Sequence, residues 1–170
     1  MRSPPASLAG HILLAHPLLR DPNFCGSIVF LTAHEATEGA FGFILNRPMH
    51  SENLPMEEAI YYGGPVETGR FSLVNLTWNE TPPGVACRIF DENAPDTEGP
   101  ESEVRIFQGY AGWSPGQLEF EISQGSWVVL LPNRRILDDP LPDNLWRELI
   151  GEISPELDLL AGFPADPSLN

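Results

Sequence analysis

The sequence predicts an α+β fold. About six to eight short runs of apolar and β-branched residues, each bounded by Gly, Pro, Asn or Asp, have the length and composition of β-strands. Three segments have helical periodicity, but they do not alternate regularly with the strands, as the helices of a doubly wound sheet would. At 170 residues, with no internal repeat or linker, the chain is expected to form a single domain over residues 1–170.

The first part of the chain is expected to hold a loose leader and three strands. Residues 1–8 contain no core-forming run, so they are expected to be a loose end. Strands are expected at 11–15, 27–31 and 40–45. The connection at 34–39 is short, which predicts antiparallel pairing of the second strand with the third.

The central part is expected to contain one short helix, three strands and one loop. The helix is placed at 55–60, where Pro55 and two glutamates suit a helix N-terminus because the helix dipole favours anions there. Strands are expected at 61–66, 71–76 and 85–90. Residues 91–103 are acidic and lack core formers, so they are expected to form a solvated loop.

The last part combines strands with two helices. A strand at 104–107 is expected to lead into a glycine–aromatic turn at 109–116. Ser114, Pro115 and Gln117 have the spacing of a capping box, which predicts a helix start. A strand at 126–131, a helix from Pro142 and a loose end at 155–170, which is expected to be short-helical at best, complete the chain. The two helices are expected to bury Leu118, Ile122, Leu145, Trp146, Leu149 and Ile153.

The charge balance and the lack of a long apolar run indicate which partners the protein would bind and where in the cell it is located. The chain has 24 acidic and 9 basic residues, all of the latter arginine, and a formal net charge of −15. Such a surface repels phosphate groups, so direct nucleic-acid binding and attachment to anionic membranes are disfavoured. No apolar run approaches the ~18 residues of a membrane-spanning helix, and the N-terminus lacks the features of a secretory signal. The expected location is therefore the cytoplasm.

The residue types present exclude several chemistries. Without lysine, the chain can form neither a Schiff base nor a Walker-type phosphate loop. Cys25 and Cys87 form no Cys-x-x-Cys pair, and the four histidines lack metal-ligand spacing. No metal site and no cofactor are expected, and the histidines are expected to have structural or surface roles.

The glycine–aromatic turn at 109–116 is the best candidate for a site. It places Tyr110 and Trp113 on either side of Gly112, and such a turn can present backbone N–H groups to an anion. The alternative, which we prefer, is architectural: glycines allow close packing while the two rings fill the core. Glu119 and Glu121 follow the turn, but most of the 24 acids are expected only to solvate the surface.

Four blocks of sequence, in the same order, resemble the YqgE/AlgH family of bacterial proteins. They are GHILLAHP with DPNF from Gly10, GFILNRP from Gly42, YGGPV from Tyr62 and FQGYAGWSPGQLE from Phe107. The resemblance covers residues 8–153. It implies a split, mostly antiparallel sheet curled into a pseudo-barrel with helices packed outside. It implies little about activity, because the family is essentially uncharacterised, although some members are labelled transcriptional regulators.

Three hypotheses of function remain open. The first is a non-enzymatic binding or regulatory module with an unknown protein or small-molecule partner, because the distinctive residues include no nucleophile–base pair. The second is a transcriptional regulator that acts directly or through a partner. The third is an enzyme for a small anionic substrate, with a cleft where the turns 46–48, 63–65 and 110–113 meet, Arg47 as anion clamp and Glu119 as acid or base. The candidate ligand-binding residues are Asn46, Arg47, Gly63, Gly64, Tyr110, Gly112, Trp113 and Glu119.

Overall fold

Strands dominate the structure. The computed structural model describes residues 7–49, 60–90, 102–138 and 141–162. The strands of these residues are β1 (Ile12–Ala15), β2 (Ile28–Glu35), β3 (Gly39–Ile44), β4 (Pro48–Met49), β5 (Ile60–Tyr62), β6 (Val66–Glu80), β7 (Pro83–Ile89), β8 (Ser102–Trp113) and β9 (Trp127–Leu130). The helices are α1 (Gln117–Ser123), α2 (Leu145–Ile153), α3 (Pro155–Ala161) and a short 3-10 helix (Arg134–Leu137).

The described strands form one curled sheet. Their order is β4-β5-β8-β3-β2-β1-β9, and the β6–β7 hairpin joins through the pairing of β6 with β8. Every pairing is antiparallel except that of β5 with β8. The sheet is therefore mixed but mostly antiparallel, and it curls into a half-barrel. The predicted α+β class is confirmed, and so is the antiparallel pairing of β2 with β3.

An apolar core covers each face of the sheet. All four residues of β1 are buried and apolar, because β1 lies between β2 and β9 with both of its faces covered. One face packs against α2 and the 3-10 helix through Leu149, Ile150 and Ile136. The opposite face packs against α1 through Leu118 and Ile122, as the sequence predicts. We call these the α2 face and the α1 face.

The predicted helix ends are correct only in part. α1 begins at Gln117 after Gly116, which has a φ of 79°, so Ser114 is not the cap and Pro115 precedes the helix. The Gln117 side chain still accepts a hydrogen bond from the Ser114 N–H at 3.0 Å, which is half of the predicted capping box. In α2, Leu145 is buried as predicted.

Of two predictions near the C-terminus, the burial of Ile153 is wrong. Ile153, expected in the core, is 37% exposed because it lies at the rim of a groove described below. The segment after Ser154, expected to be at most a short helix, forms the seven-residue helix α3 over Pro155–Ala161. Its start is well specified: the Ser154 side chain accepts the Leu157 N–H, and Pro155 occupies the first turn. Residues 163–170 lie outside the described residues.

The glycine–aromatic turn is not a turn up to Trp113, because β8 continues through that residue. β3 pairs with β8 at Ala111 to Trp113 and β6 pairs with it from Ser102 to Tyr110, so the segment belongs to the sheet, with Gly109 at a φ of 68° where the register with β6 shifts. The predicted helix at 55–60 lies outside the described residues except for Ile60, which begins β5; residues 102 and 103 of the predicted acidic loop belong to β8, and the rest of that loop lies outside the described residues. None of the described helices combines the length and the hydropathy needed to cross a membrane.

Candidate functional site

The three turns selected from the sequence lie next to one another in the sheet. Pro48 of β4 pairs with Tyr61 of β5, and the Tyr62 N–H donates to the Arg47 carbonyl at 2.8 Å. The Gly63 N–H in turn donates to the Gln108 carbonyl of β8 at 2.8 Å. The chain at 60–64 therefore lies between the predicted turn 46–48 and residues 108–110 of β8, which overlap the predicted turn 110–113 only at Tyr110.

The glycines of these turns allow close contact between main chains. A Cβ atom at Gly64 would lie 2.2 Å from the Tyr110 carbonyl, and one at Gly63 would lie 2.3 Å from the Gly109 carbonyl oxygen. A side chain at either position would displace backbone. At Gly112 the nearest atom would be 3.4 Å away, an ordinary contact. Gly109 of the predicted glycine–aromatic turn has a φ of 68°, and its Cβ would lie 2.4 Å from the Gly64 carbonyl oxygen, which is the packing role that the architectural alternative expects.

Asn46 and Arg47 hold the loop between β1 and β2. The Asn46 side chain accepts the Ile28 N–H at 2.8 Å and donates to the Gly26 carbonyl at 2.9 Å. The Arg47 guanidinium donates to the carbonyls of Pro22 at 3.0 Å and Cys25 at 2.8 Å. Both side chains therefore bond main-chain groups of the segment 22–28. Anion binding by Arg47 stays a prediction.

Tyr110 and Trp113 lie on opposite faces of the sheet. They are three residues apart in β8, and side chains alternate between faces along a strand. Tyr110 contacts Phe41 edge-to-face, with ring centroids 5.6 Å apart, on the α2 face. Trp113 packs on Phe24 and Trp127 on the α1 face. The two rings do not form the walls of one pocket.

Glu119 forms a pair with His34 at the other end of β3. His34, at 6% exposure, lies in β2, and its Nε2 lies 2.5 Å from Glu119 Oε1 of α1. The hydrogen bond with His34 lowers the pKa of Glu119 below its ordinary value, and a bond to the residue's own backbone adds to the effect. The sequence gives His34 a structural or surface role and does not predict this pair.

The hydrogen bonds fix the tautomer of His34. Its Nδ1 accepts the Leu8 N–H at 2.9 Å, so the ring proton is on Nε2, and Nε2 donates to Glu119. The His34 carbonyl also accepts the Ser7 hydroxyl at 2.8 Å. Residues 7 and 8 are thus bonded to β2, which corrects the expectation that the leader is loose up to residue 8; residues 1–6 lie outside the described part.

The His34–Glu119 pair holds parts of the protein together and is not arranged to transfer a proton to a substrate. Both ring nitrogens of His34 already have partners within the protein, so neither is directed at a substrate. Glu119 and Arg47 lie beyond opposite ends of β3, and at ~3.3 Å per residue that separation is roughly 20 Å. The predicted combination of an Arg47 clamp with a Glu119 acid therefore does not converge on one small substrate.

A second carboxylate, Glu121, has more partners than the sequence indicates. Its Oε2 accepts the indole N–H groups of Trp113 at 2.9 Å and of Trp127 at 2.8 Å. Its Oε1 accepts the Gln117 amide at 2.9 Å. Phe24 completes the cluster by packing against both indoles. Glu121 thus ties α1 to β8 and β9, whereas the sequence favours a merely solvated acid.

Two shallow cavities lie away from the predicted turns. One, of about 420 Å³, lies between the β1–β2 loop and the end of α1, next to His16 and Gln124. The other, of about 500 Å³, lies between the end of β9 and α2, next to Leu131 and Leu149. None of the eight candidate ligand-binding residues lines either cavity. Within the described ranges, no three His, Cys, Asp or Glu side chains are placed to hold a metal ion.

Comparison with known sequences identifies relatives along nearly the whole chain. A family model described as AlgH-like matches residues 12–158. A UPF0301 protein of Streptomyces coelicolor is 35% identical, in an alignment that covers 97% of this chain and 96% of that protein. A UPF0301 protein of Thermobifida fusca is 34% identical, with 96% of each chain covered.

Two solved structures have a similar fold. The solution structure of the AlgH protein from Pseudomonas aeruginosa superposes with a TM-score of 0.64 at 27% identity and covers 96% of this chain and 98% of that one. A crystal structure of a protein from Corynebacterium diphtheriae gives a TM-score of 0.67 at 19% identity, with 96% and 95% covered. At that lower identity the similarity concerns the fold alone.

Proposed function

The chain belongs to the AlgH-like family, and we propose that it acts as a non-catalytic binding module that docks a protein partner in the cytoplasm. The observation that carries the proposal is the bonding of the polar side chains at the candidate site. Arg47 and Glu119, the two charged groups of the candidate site, both form hydrogen bonds within the protein. Such a constellation stabilises a scaffold and leaves recognition to its surface.

Three side chains illustrate this. Arg47 donates to two backbone carbonyls, His34 uses both ring nitrogens internally, and Glu121 accepts three hydrogen bonds. An acid–base catalyst needs a titratable group within hydrogen-bond reach of the substrate proton. These groups instead join the 22–25 loop, the 7–8 segment and α1 to the sheet. Their arrangement supports a rigid binding surface.

The surface supports a protein partner over a small ligand. Leu131 and Ile153, which line the same groove, are 75% and 37% exposed, so large apolar side chains are available for contact. The net charge of −15 would steer a basic protein toward this surface. Any regulatory role would then act through that partner.

Direct DNA recognition has less support. The adjacent arginines Arg134 and Arg135 form ion pairs with Glu80, Glu148 and Glu152, so acids lie beside the one basic pair in the sequence. Phosphate binding requires cationic side chains that can release counterions. A mobility-shift titration at two salt concentrations tests this alternative, and we expect no shifted band at either concentration.

Quantitative capture tests the proposed function. The purified protein is immobilised and exposed to a lysate of a bacterium that encodes an AlgH-like protein, and each retained protein is then purified and titrated back. We expect a saturable complex of defined stoichiometry that His34→Gln leaves intact. The proposal is contradicted if no purified protein forms such a complex, or if the chain turns over a substrate in a hydrolase and transferase panel and loses that activity in Glu119→Gln.

A further inference from the structure

β9 is an open edge of the sheet. Within the described part of the chain it pairs with β1 alone, and it ends the strand order. Its residues Trp127–Leu130 and the following Leu131 form the apolar run WVVLL. A free strand edge presents unpaired N–H and C=O groups, and these can template the addition of another strand.

The register shows which backbone groups are free. Val128 pairs with Leu14, and the Ser126 carbonyl accepts the His16 N–H at 2.9 Å, so even-numbered residues direct their main-chain groups toward β1. The odd-numbered Val129 and Leu131 therefore direct theirs outward. No hydrogen bond of the described residues uses these outward groups.

Three features that often protect edge strands from further pairing, namely charge, proline and a β-bulge, are absent from the segment 127–131, although β9 itself is only four residues long. The register of β9 with β1 is continuous. The edge of β7 differs: it begins at Pro83 and carries Arg88. Since proline and charge both discourage strand addition, β9 is the more receptive edge.

A groove runs beside the open edge on the α2 face. Its volume is about 500 Å³, and its walls are the chain from Val129 to Asn133 together with Leu149, Glu152 and Ile153 of α2. Leu131 is 75% exposed and Ile153 is 37% exposed, so apolar contact area is available at the rim. An added strand would direct alternate side chains into this groove.

We propose that β9 binds an extended, basic peptide segment of a protein partner, which adds to the sheet as a further strand. The inference rests on the proposed function and specifies its partner. α2, which lines the groove, and α3, which packs on α2, together carry four acids against Arg147 and the neighbouring Arg135. Together with the net charge of −15, this favours Lys or Arg at the solvent-facing positions of the peptide. Apolar residues occupy the alternate positions, which face the groove.

Fluorescence anisotropy with labelled heptapeptides tests the proposal. One array alternates Lys or Arg with Val, Ile, Leu or Phe; matched arrays carry Glu in place of the basic residues or N-methyl groups on the backbone. The informative variant is Val129→Pro, because Val129 donates no hydrogen bond to β1, so proline removes only the outward donor. Leu131→Asp provides a second variant in case Val129→Pro does not fold. Phe120→Asp, at a side chain 63% exposed on α1, is the matched control.

Basic strand peptides are expected to bind the wild type and the Phe120→Asp control equally, and Val129→Pro or Leu131→Asp to weaken binding by about tenfold or more. Acidic and N-methylated peptides are expected not to bind. The inference would be overturned if the edge variants bound basic peptides as tightly as the wild type does, or if no array bound at all. Binding of acidic peptides alone would also overturn it, and so would a homodimer of the protein that Val129→Pro abolishes. The capture experiment tests the proposed function separately, because a partner that still binds the Val129→Pro variant would indicate docking at another surface.

Discussion

Replacing Glu121 with alanine is expected to be among the most destabilising surface-accessible changes in this chain. It leaves two indole N–H donors without a partner, on Trp113 and Trp127, which are 5% and 4% exposed. An unpaired buried donor costs about 1–3 kcal/mol, so the pair costs about 2–6 kcal/mol. Water entering the space left by the half-exposed carboxylate reduces this to about 2–4 kcal/mol. That is a large part of a typical free energy of unfolding of about 5–15 kcal/mol.

Glu121→Gln separates hydrogen bonding from charge. The new amide oxygen can accept both indole N–H groups, but Gln117 can accept the new donor only by turning its amide oxygen away from the Ser114 N–H, so one hydrogen bond is lost and the expected cost is about 1 kcal/mol. Glu80→Ala, which removes an exposed ion pair with Arg134, is the control and should cost less than about 0.5 kcal/mol. Urea denaturation monitored by circular dichroism measures the free energy of unfolding of all three variants. The reasoning fails if Glu121→Ala costs less than its control or no more than Glu121→Gln.

Three further predictions concern packing, pH and thiol reactivity. Gly64→Ala should cost more than about 3 kcal/mol, because its Cβ would lie 2.2 Å from main chain, whereas Gly112→Ala should cost under about 1 kcal/mol; urea denaturation compares them. Since the pKa of Glu119 is lowered in the folded protein, the Glu119 carboxylate stabilises the fold above about pH 4.5, and this contribution is lost as the pH falls further. The difference in free energy of unfolding between wild type and Glu119→Gln should therefore shrink as the pH falls below that value. A difference that stays constant would contradict the reasoning. Burial raises the pKa of Cys87, so a thiol reagent at neutral pH should modify the exposed Cys25 first and Cys87 only on unfolding, as peptide mass spectrometry would show.

Local sequence signals predict the strands but not how far each one extends. Apolar runs and turn residues locate β1, β2 and β3 closely, because those signals act within a few residues. Gly109 and Gly112 suggest a turn, yet β8 continues through both, since its length is set by pairing with β3 and β6. Strand pairing of this kind is a long-range effect that overrides local propensity.

The residues of the candidate site are also positioned by long-range contacts that local sequence patterns do not reveal. The candidate segments near residues 47, 63 and 110 lie in or next to successive strands of the sheet, but the two aromatic residues of β8 lie on opposite faces. The odd spacing of Tyr110 and Trp113 would predict that separation once the segment is recognised as a strand. The His34–Glu119 pair joins residues 85 positions apart, and no local pattern indicates it.

Amide hydrogen exchange, measured residue by residue by NMR, tests the docking account most directly. In the free protein, the Val128 and Leu130 N–H groups bond β1 and should exchange slowly, whereas those of Val129 and Leu131 should exchange rapidly. Binding of a basic strand peptide should slow exchange at Val129 and Leu131 and leave the alternate positions unchanged. Slow exchange at Val129 in the free protein, or unchanged exchange there in the complex, would contradict the account.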